Sequence, residues 1–247
     1  MSYFIELAYE GTLYHGWQIQ PNAISVQQEL TKVGCNYFNN QKFNVTGCGR
    51  TDTGVHAEEF YAHFDSETAI DVSKAVHNLN NMLPKDIAIK TIRKVDDLLH
   101  ARFSAISRTY KYRLHYQKNP FIRWHSYRHY KNLDLDKMNT ACGILLNHRD
   151  FTSFSKVNTG THTNDCVITQ ACWEHSETGI VFTVQANRFL RNMVRAIVGT
   201  MIEIGEGKIE VEAFNDIINS KDRGNAGKSV PALGLSLFAV KYPNNNL

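Results

Sequence analysis

Cysteine pairs and long apolar runs are both missing from this sequence. The 247 residues include five cysteines, which are scattered and form no CxxC pair, so neither a disulfide framework nor a zinc knuckle is indicated. No apolar run approaches the roughly 18 residues that a membrane span needs. The first ten residues turn polar too soon for a signal peptide. We therefore expect a soluble, cytoplasmic chain.

Net charge is small, but its distribution is uneven. Apolar residues make up 43% of the chain, so a core can form without covalent staples, in one large domain or two small ones. The formal charge of +3 does not by itself establish an anionic partner. Between residues 98 and 133, eight Lys or Arg residues, eight aromatic residues and four histidines occur without any Asp or Glu. Such a segment either attracts phosphates and stacks bases, or forms an exposed strand face with packed aromatic residues behind it.

Apolar patterning in the first hundred residues predicts the element order βαββαβ. Ser25 and Gln28 form a capping-box pair, and Asp71 can cap a second helix. The predicted elements are strand Tyr3–Tyr9, helix Ser25–Phe38, strands Phe43–Cys48 and Glu59–Asp65, a helix that starts after Asp71 and stops before Pro84, and strand Asp86–Val95.

The remaining residues repeat this order with one extra helix. The predicted elements are strand Ser107–Tyr116, helix Asp134–Leu146, a hairpin of Ile168–His175 and Gly179–Ala186, helix Arg188–Ile204, helix Val211–Asn219 and strand Gly234–Tyr242. The duplication predicts an α/β (α+β) fold of two ferredoxin-like halves, residues 1–103 and 104–247. Two such sheets can join edge to edge, which would protect exposed strands.

A glycine-rich string at residues 47–57, GCGRTDTGVHA, follows the third predicted element of the first half. Three glycines in eight residues allow a tight backbone path, so the intervening polar side chains would project from the end of the strand. Asp52 in such a loop can serve as a nucleophile or a base. The alternative is an Asx-turn, in which its carboxylate only bonds the local backbone.

Three arginines recur at helical spacing near the end of the second half. In the predicted helix, Arg188, Arg191 and Arg195 would share one face, because they occupy positions i, i+3 and i+7. No acidic residue occurs from 178 to 201, so no local carboxylate can pair with them. They require a distant carboxylate, a phosphate or water.

Other catalytic motifs fail. The segment 224–229, GNAGKS, resembles the end of a P-loop, but Asp222 stands where the first glycine is required. The histidines form no HExxH zinc motif, and no serine lies in a nucleophile-elbow pattern. The sequence therefore provides no basis for ATP use, metal-dependent hydrolysis or serine-type acyl transfer.

Taken together, the motifs resemble those of the tRNA pseudouridine(38–40) synthases, which isomerise uridines in the anticodon stem-loop. The resemblance spans nearly the whole chain. Its motifs are YEG at 9–11 with YHGWQ at 14–18, the string at 49–57, HARFSA at 100–105 with RTYKY at 108–112, DFTSF at 150–154, residues 187–199, and GLSL at 234–237. Thr53 departs from the family, in which alanine is frequent there, and residues 157–166 follow its pattern only loosely.

The resemblance implies specific roles for several residues. Asp52 would be the catalytic aspartate, Tyr110 the aromatic residue that packs on the target uracil, and Arg195 the basic partner of Asp52. The residues that it implies in substrate binding are Tyr110, Arg50, Leu235, Arg188, Arg191, Arg108 and Lys111. It further implies a joined sheet with helices on one face, a central cleft between the halves, a homodimer, tRNA as the partner, and neither cofactor nor metal.

This chemistry requires Asp52 to be ionised, whether it attacks C1′ of the ribose or removes the C2′ proton. Burial would favour the neutral acid, so a nearby cation is needed. At about 4 Å and an effective dielectric near 20, Arg195 would contribute about 4 kcal/mol. Two alternatives stay open: a non-catalytic RNA-binding protein, whose RNP signature is not found here, and a nucleosidase, which would need a carboxylate pair.

Overall fold

The computed structural model describes residues 1–39, 43–156 and 162–243. The chain divides into two units: residues 1–106 together with the segment from Ser236 onward, and residues 107–235. The sequence had predicted that the last strand belongs to the second half. Nine strands and five helices in the described residues confirm the mixed α/β class.

The first unit has the predicted order of elements. Its first six elements are β1 (Ser2–Tyr9), α1 (Val26–Tyr37), β2 (Thr46–Gly47), β3 (His56–Asp65), α2 (Val72–Met82) and β4 (Ile87–Val95). The strands β4, β1 and β3 pair antiparallel in that order, and β2 pairs with β3. This is the sheet order of a ferredoxin-like βαββαβ unit.

Local capping explains where both helices of this unit begin. The Ser25 side chain accepts from the Gln28 N–H at the start of α1, and Asp71 accepts from the Lys74 N–H at the start of α2. The predicted strand at 43–48 shortens to two residues. Its apolar alternation reflects packing on a helix, because the Phe43 ring lies against Gly34 of α1. Only Thr46 and Gly47 of the segment form a strand.

The strands and α-helices in the described residues of the second unit are β5 (Ser107–His115), β6 (Tyr127–Arg128), α3 (Leu135–Leu146), β7 (Ile168–Ser176), β8 (Gly179–Ala186), α4 (Met193–Gly205) and α5 (Val211–Asn219). Strands β5, β8 and β7 pair antiparallel in that order. The short β6 pairs parallel with β5. Asp134 caps α3 by accepting from the Lys137 N–H, as the sequence predicts.

The start of α4 differs from the prediction, and the single arginine face is therefore wrong. Asn192 has a φ of 66°, the left-handed conformation that asparagine tolerates, so α4 begins only at Met193. Arg188 and Arg191 precede the helix. Arg195 alone of the three arginines lies on it.

The last strand, β9 (Leu235–Lys241), returns to the first unit. Ser236 and Leu237 pair parallel with His56 and Ala57 of β3. Side chains reinforce this pairing, since Ser236 Oγ donates to Glu58 Oε1 at 2.6 Å and the Val240 N–H donates to Glu59 Oε1 at 2.8 Å. Strands β2 and β9 thus pair with different parts of β3.

Candidate active site

The predicted site residues fall into two groups, one in each unit. Asp52 and Arg50 lie in the first unit, on the loop between β2 and β3. The others lie in the second unit and are Tyr110, Arg195, Arg108, Lys111, Arg188, Arg191 and Leu235.

Backbone hydrogen bonds hold both ends of the Asp52 loop. Cys48 N–H donates to the Tyr61 carbonyl of β3 at 2.7 Å, and Val55 N–H donates to the Asp52 carbonyl at 3.1 Å. Gly54 between them has a φ of 77°, which favours glycine. The tight path that the glycines predicted is therefore present, and it places a turn directly after the aspartate.

Residues 9–16 form a support for this loop, which we name the loop cradle. The Tyr9 and Thr51 hydroxyls are hydrogen-bonded at 2.9 Å in a buried position, and Gly54 N–H donates to the Tyr14 carbonyl at 3.1 Å. A Cβ on Gly16, whose φ is 82°, would overlap the Thr51 carbonyl oxygen. Backbone can approach the loop this closely only where side chains are absent.

His56 joins the loop cradle to the start of β3. The Gly11 N–H donates to His56 Nδ1 at 3.0 Å, so this nitrogen is an acceptor and carries no proton. Glu10 Oε1 is 3.9 Å from the same nitrogen. Because Nδ1 is unprotonated, that approach is not an ion pair. The motif at 9–18, which the sequence offered only as part of the family resemblance, thus supports the backbone of the Asp52 loop.

The loop cradle is itself held at the start of β4. Tyr14 Oη donates to Asp86 Oδ1 at 2.6 Å, and Glu10 N–H donates to the Asp86 carbonyl at 2.9 Å. Burial, together with the bond to Asp86, raises the pKa of the Tyr14 phenol well above its usual range. The phenol therefore acts as a neutral donor at physiological pH, and the backbone of the loop is fixed from both sides.

Side chains of the loop differ in exposure. Thr51 is buried, Asp52 is half-buried, and Arg50 and Thr53 are exposed. A half-buried carboxylate on a backbone that cannot shift easily has the fixed position that a nucleophile or a general base requires.

In the second unit, Tyr110 lies on β5 opposite Val184 of β8 and is half-buried. Its ring meets Phe189 edge to face, with centroids 5.1 Å apart and planes at 86°. Arg108, two residues earlier on the same face of the strand, donates from Nη1 to the Asn187 carbonyl at 2.9 Å. The structure thus brings Tyr110, Arg108 and the segment before α4 together.

Arg195 lies in the first turn of α4 and holds the segment that leads to β9. Its Nε donates to the Val230 carbonyl at 2.7 Å, and the Val230 N–H donates to the Arg195 carbonyl at 3.2 Å. Buried Tyr112 donates to the next carbonyl, that of Pro231, at 2.8 Å. Burial raises the pKa of Tyr112 far above its usual range, and the Arg195 charge nearby opposes that shift. Leu235, which follows this segment, is buried.

Arg188 and Arg191 do not join Arg195 on one face. The Arg188 N–H donates to Asn187 Oδ1, and its guanidinium is near buried Cys166, whose pKa is raised by burial to about 11 while the arginine charge opposes the rise. Arg191 is exposed, and its carbonyl accepts from the Lys156 N–H. The adjoining stretch 157–166 includes residues 157–161, which lie outside the described residues.

The acid-free segment contains both packed and exposed aromatic residues. Tyr112 is fully buried, as a packed aromatic face requires. Trp124 and Tyr130 are exposed instead, and Arg123 and Arg128 lie over their rings at 4.8 and 4.7 Å from the centroids. Exposed cation and aromatic pairs of this kind can contact phosphates and bases.

The parts of the chain that the structure describes lack two features. They contain no group of three or more His, Cys, Asp and Glu side chains placed to hold a metal ion. None of their helices is long and apolar enough to cross a membrane.

Comparison with known proteins identifies the family. A family model described as tRNA pseudouridine synthase matches residues 7–104 and 141–243. A Bacteroides thetaiotaomicron protein named tRNA pseudouridine synthase A is 50% identical over 246 residues, which cover 98% of this chain and 91% of that protein. A protein of the same name from Bacillus velezensis is 37% identical over 96% of this chain and 98% of its own length. The chain therefore belongs to the tRNA pseudouridine synthases, a family of isomerases.

Proposed function

We propose that this chain converts uridine to pseudouridine at positions 38, 39 and 40 of the tRNA anticodon stem-loop. The observation that carries the proposal is the half-buried Asp52 carboxylate on a loop clamped by the loop cradle, in a chain 50% identical to a tRNA pseudouridine synthase A. We expect the enzyme to act in the cytoplasm, because its tRNA substrate is there.

The reaction breaks the bond between C1′ and N1, turns the uracil, and forms a bond between C1′ and C5. The C5 proton leaves to solvent and N1 gains one, so the step needs no oxidant, reductant or second substrate. Asp52 either attacks C1′, giving a covalent intermediate, or removes the C2′ proton to give a glycal. Both routes use one ionised carboxylate.

Arg195 is the proposed cationic partner of that carboxylate. Its Nε bond to the Val230 carbonyl sets the plane of the guanidinium, and the opposite edge of an arginine, formed by its two Nη groups, is the edge that bonds a carboxylate bidentately. At about 4 Å and an effective dielectric near 20, the attraction would be about 4 kcal/mol. That is enough to offset much of the cost of keeping Asp52 charged in a water-poor site.

Tyr110 is proposed to pack on the flipped target uracil. Extruding a base costs a few kcal/mol, and stacking on one aromatic ring returns only about 1–3 kcal/mol. Contacts to phosphates must supply most of the affinity for tRNA. The proposed contacts are Arg50, Arg108, Lys111, Arg188 and Arg191, with Leu235 as an apolar wall and the exposed cation and aromatic pairs of residues 123–130 as a further source.

Release of tritium from tRNA labelled at C5 of uridine tests the reaction. Transcripts that carry the labelled uridine at only position 38, 39 or 40 should each release tritium, and a transcript labelled only outside the anticodon stem-loop should not. Asp52→Asn should release none while binding tRNA within about twofold of wild type, because the amide keeps the shape but cannot act as base or nucleophile.

Alternative functions give different outcomes in the same assay. A non-catalytic RNA-binding protein would bind the transcripts and release no tritium, and a nucleosidase would release free uracil. Appreciable turnover by Asp52→Asn would refute the assignment of the aspartate. Sedimentation equilibrium checks the proposed homodimer, which should have about twice the chain mass of 28.2 kDa.

A further inference from the structure

A cavity of about 170 Å³ opens in the first unit beside the Asp52 loop, and we name it the side cavity. Asp52 is not among the residues that line it. The lining residues that matter here are Trp17, Gln18, Thr46, Gly49, Arg50 and Arg102. Arg50 and Arg102 are exposed, so two guanidinium groups stand at its solvent side.

One wall of the side cavity is closely packed. Trp17 is buried and stacks on Phe60 with ring centroids 4.2 Å apart. Gly47 has no room for a side chain, because a Cβ there would lie 2.6 Å from Trp17 Nε1. The indole edge of Trp17 therefore lies against the wall formed by Gly47, and the shape of the cavity exists before any ligand enters.

The Gln18 side chain places a hydrogen-bond acceptor in the lining of the side cavity. Gln27 Oε1 accepts from Gln18 Nε2 at 2.7 Å and from the Ile19 N–H at 2.9 Å, and Gln27 Nε2 donates to the Val45 carbonyl at 2.8 Å. These bonds orient the Gln18 amide. Its Oε1 accepts no hydrogen bond from the described residues, so it can receive a donor from a ligand.

Arg102 is held near the side cavity by a tight turn. His100 Nδ1 accepts from the Arg102 N–H at 3.0 Å and from the Phe103 N–H at 3.2 Å. The Arg102 guanidinium lies 5.7 Å from the centroid of the Phe103 ring. The backbone position of Arg102 is thus set locally, while its long side chain can adjust to a phosphate.

We propose that the side cavity binds one unstacked pyrimidine nucleotide of the bound tRNA, distinct from the target uridine. Cavities of about 150 Å³ hold a benzene ring, so this one has room for a pyrimidine ring, which we expect to fit better than the larger purine. Gln18 Oε1 would accept from the cytosine amino group or from the uracil N3–H. Arg50 and Arg102 would bind the attached phosphate. This inference rests on the proposed tRNA substrate.

The first test is a titration of the full-length Asp52→Asn protein with cytidine 5′-monophosphate. Its readout is the ¹H–¹⁵N resonance of the Trp17 indole. Cytosine cannot be isomerised, so the measurement is independent of turnover. The resonance should shift to saturation with the cytidine nucleotide, and adenosine 5′-monophosphate should bind at least about tenfold more weakly. No shift, an equal response to adenosine 5′-monophosphate, or the same shift with inorganic phosphate alone would overturn the proposal.

Gly49 offers a matched pair of variants. A Cβ at this position would contact no neighbour within 4 Å, so Gly49→Ala and Gly49→Leu should both fold, which equal thermal midpoints would verify. Because Gly49 lines the side cavity, we expect a leucine side chain there to occupy the cavity and an alanine methyl group to leave it open. Gly49→Leu should abolish the Trp17 shift and weaken tRNA binding about tenfold. Gly49→Ala should retain both within about twofold.

Arg102→Gln with Arg93→Gln as its control tests the phosphate contact. Both remove one positive charge from an exposed side chain of the first unit, but Arg93 lies on the edge strand β4 and does not line the side cavity. Arg102→Gln alone should weaken binding of the cytidine nucleotide, and equal effects of the two variants would contradict the assignment. If wild type releases no tritium from tRNA, the proposed function fails; if the Trp17 resonance does not respond, only the side cavity proposal fails.

Discussion

Replacing Arg195 by lysine separates its two roles. Lysine keeps the positive charge but has no Nε, so it loses the 2.7 Å bond to the carbonyl of buried Val230. A carbonyl left without this charged donor costs about 1–3 kcal/mol, and the thermal midpoint should fall by roughly 2–4 °C for each kcal/mol in a chain of this size. Lysine also loses the planar edge that bonds a carboxylate bidentately. If this removes a third of the ~4 kcal/mol proposed for the pairing with Asp52, turnover falls about tenfold.

Three measurements on Arg195→Lys are needed: the thermal midpoint, tritium release under single turnover, and the Kd for tRNA at fixed salt. We expect the midpoint and the rate to fall and the Kd to change less than about threefold. Arg149→Lys is the matched control, since this arginine is exposed and should change none of the three. A lowered midpoint with an unchanged rate would show that Arg195 only supports the segment at Val230, and the proposed partnership with Asp52 would be refuted.

Further predictions follow from the loop cradle, the surface charge and three histidines with lowered pKa values. Tyr9→Phe removes one partner of the buried hydrogen bond to Thr51, so it should lower the free energy of unfolding by about 1–3 kcal/mol and slow turnover. The double variant with Thr51→Val should recover part of this stability. Additive losses in unfolding experiments would argue against direct coupling of the two hydroxyls. Affinity for tRNA should fall steeply as salt rises, and a salt-insensitive Kd would exclude phosphate contacts as its main source. Burial lowers the pKa of His63, His115 and His129 below 6.5, so the unfolded chain binds more protons and stability should fall as pH drops through 6.5; an unchanged thermal midpoint at pH 5.5 would contradict this.

Local chemistry made most elements predictable from the sequence. Ser25, Asp71 and Asp134 each cap a helix where a polar side chain precedes an apolar helical pattern, because the unpaired N–H groups of the first turn need an acceptor. Strand β5 and the hairpin of β7 and β8 followed from alternation in the same way. The glycine-rich string around Asp52 was conspicuous because only glycine permits so tight a path.

The family and its implied site residues followed from motif order along the chain. The structural contacts that these motifs make could not be predicted in this way. That the motif at 9–16 supports the Asp52 loop depends on bonds such as Tyr9 to Thr51, between residues 42 apart in sequence. Periodicity describes one element at a time and cannot say which distant backbone a hydroxyl will meet.

Tertiary structure decided three features that the sequence pattern had suggested wrongly or not at all. The helix predicted from Arg188 begins at Met193, because Asn192 takes a left-handed conformation that an apolar period does not record. Strand β9 pairs with β3, some 180 residues away, since strand order depends on which edge is available. Arg195 is oriented by a carbonyl 35 residues downstream. Residue types and local spacing thus determined the helices, the strands and the candidate catalytic side chains. Long-range hydrogen bonds decided where those side chains are held.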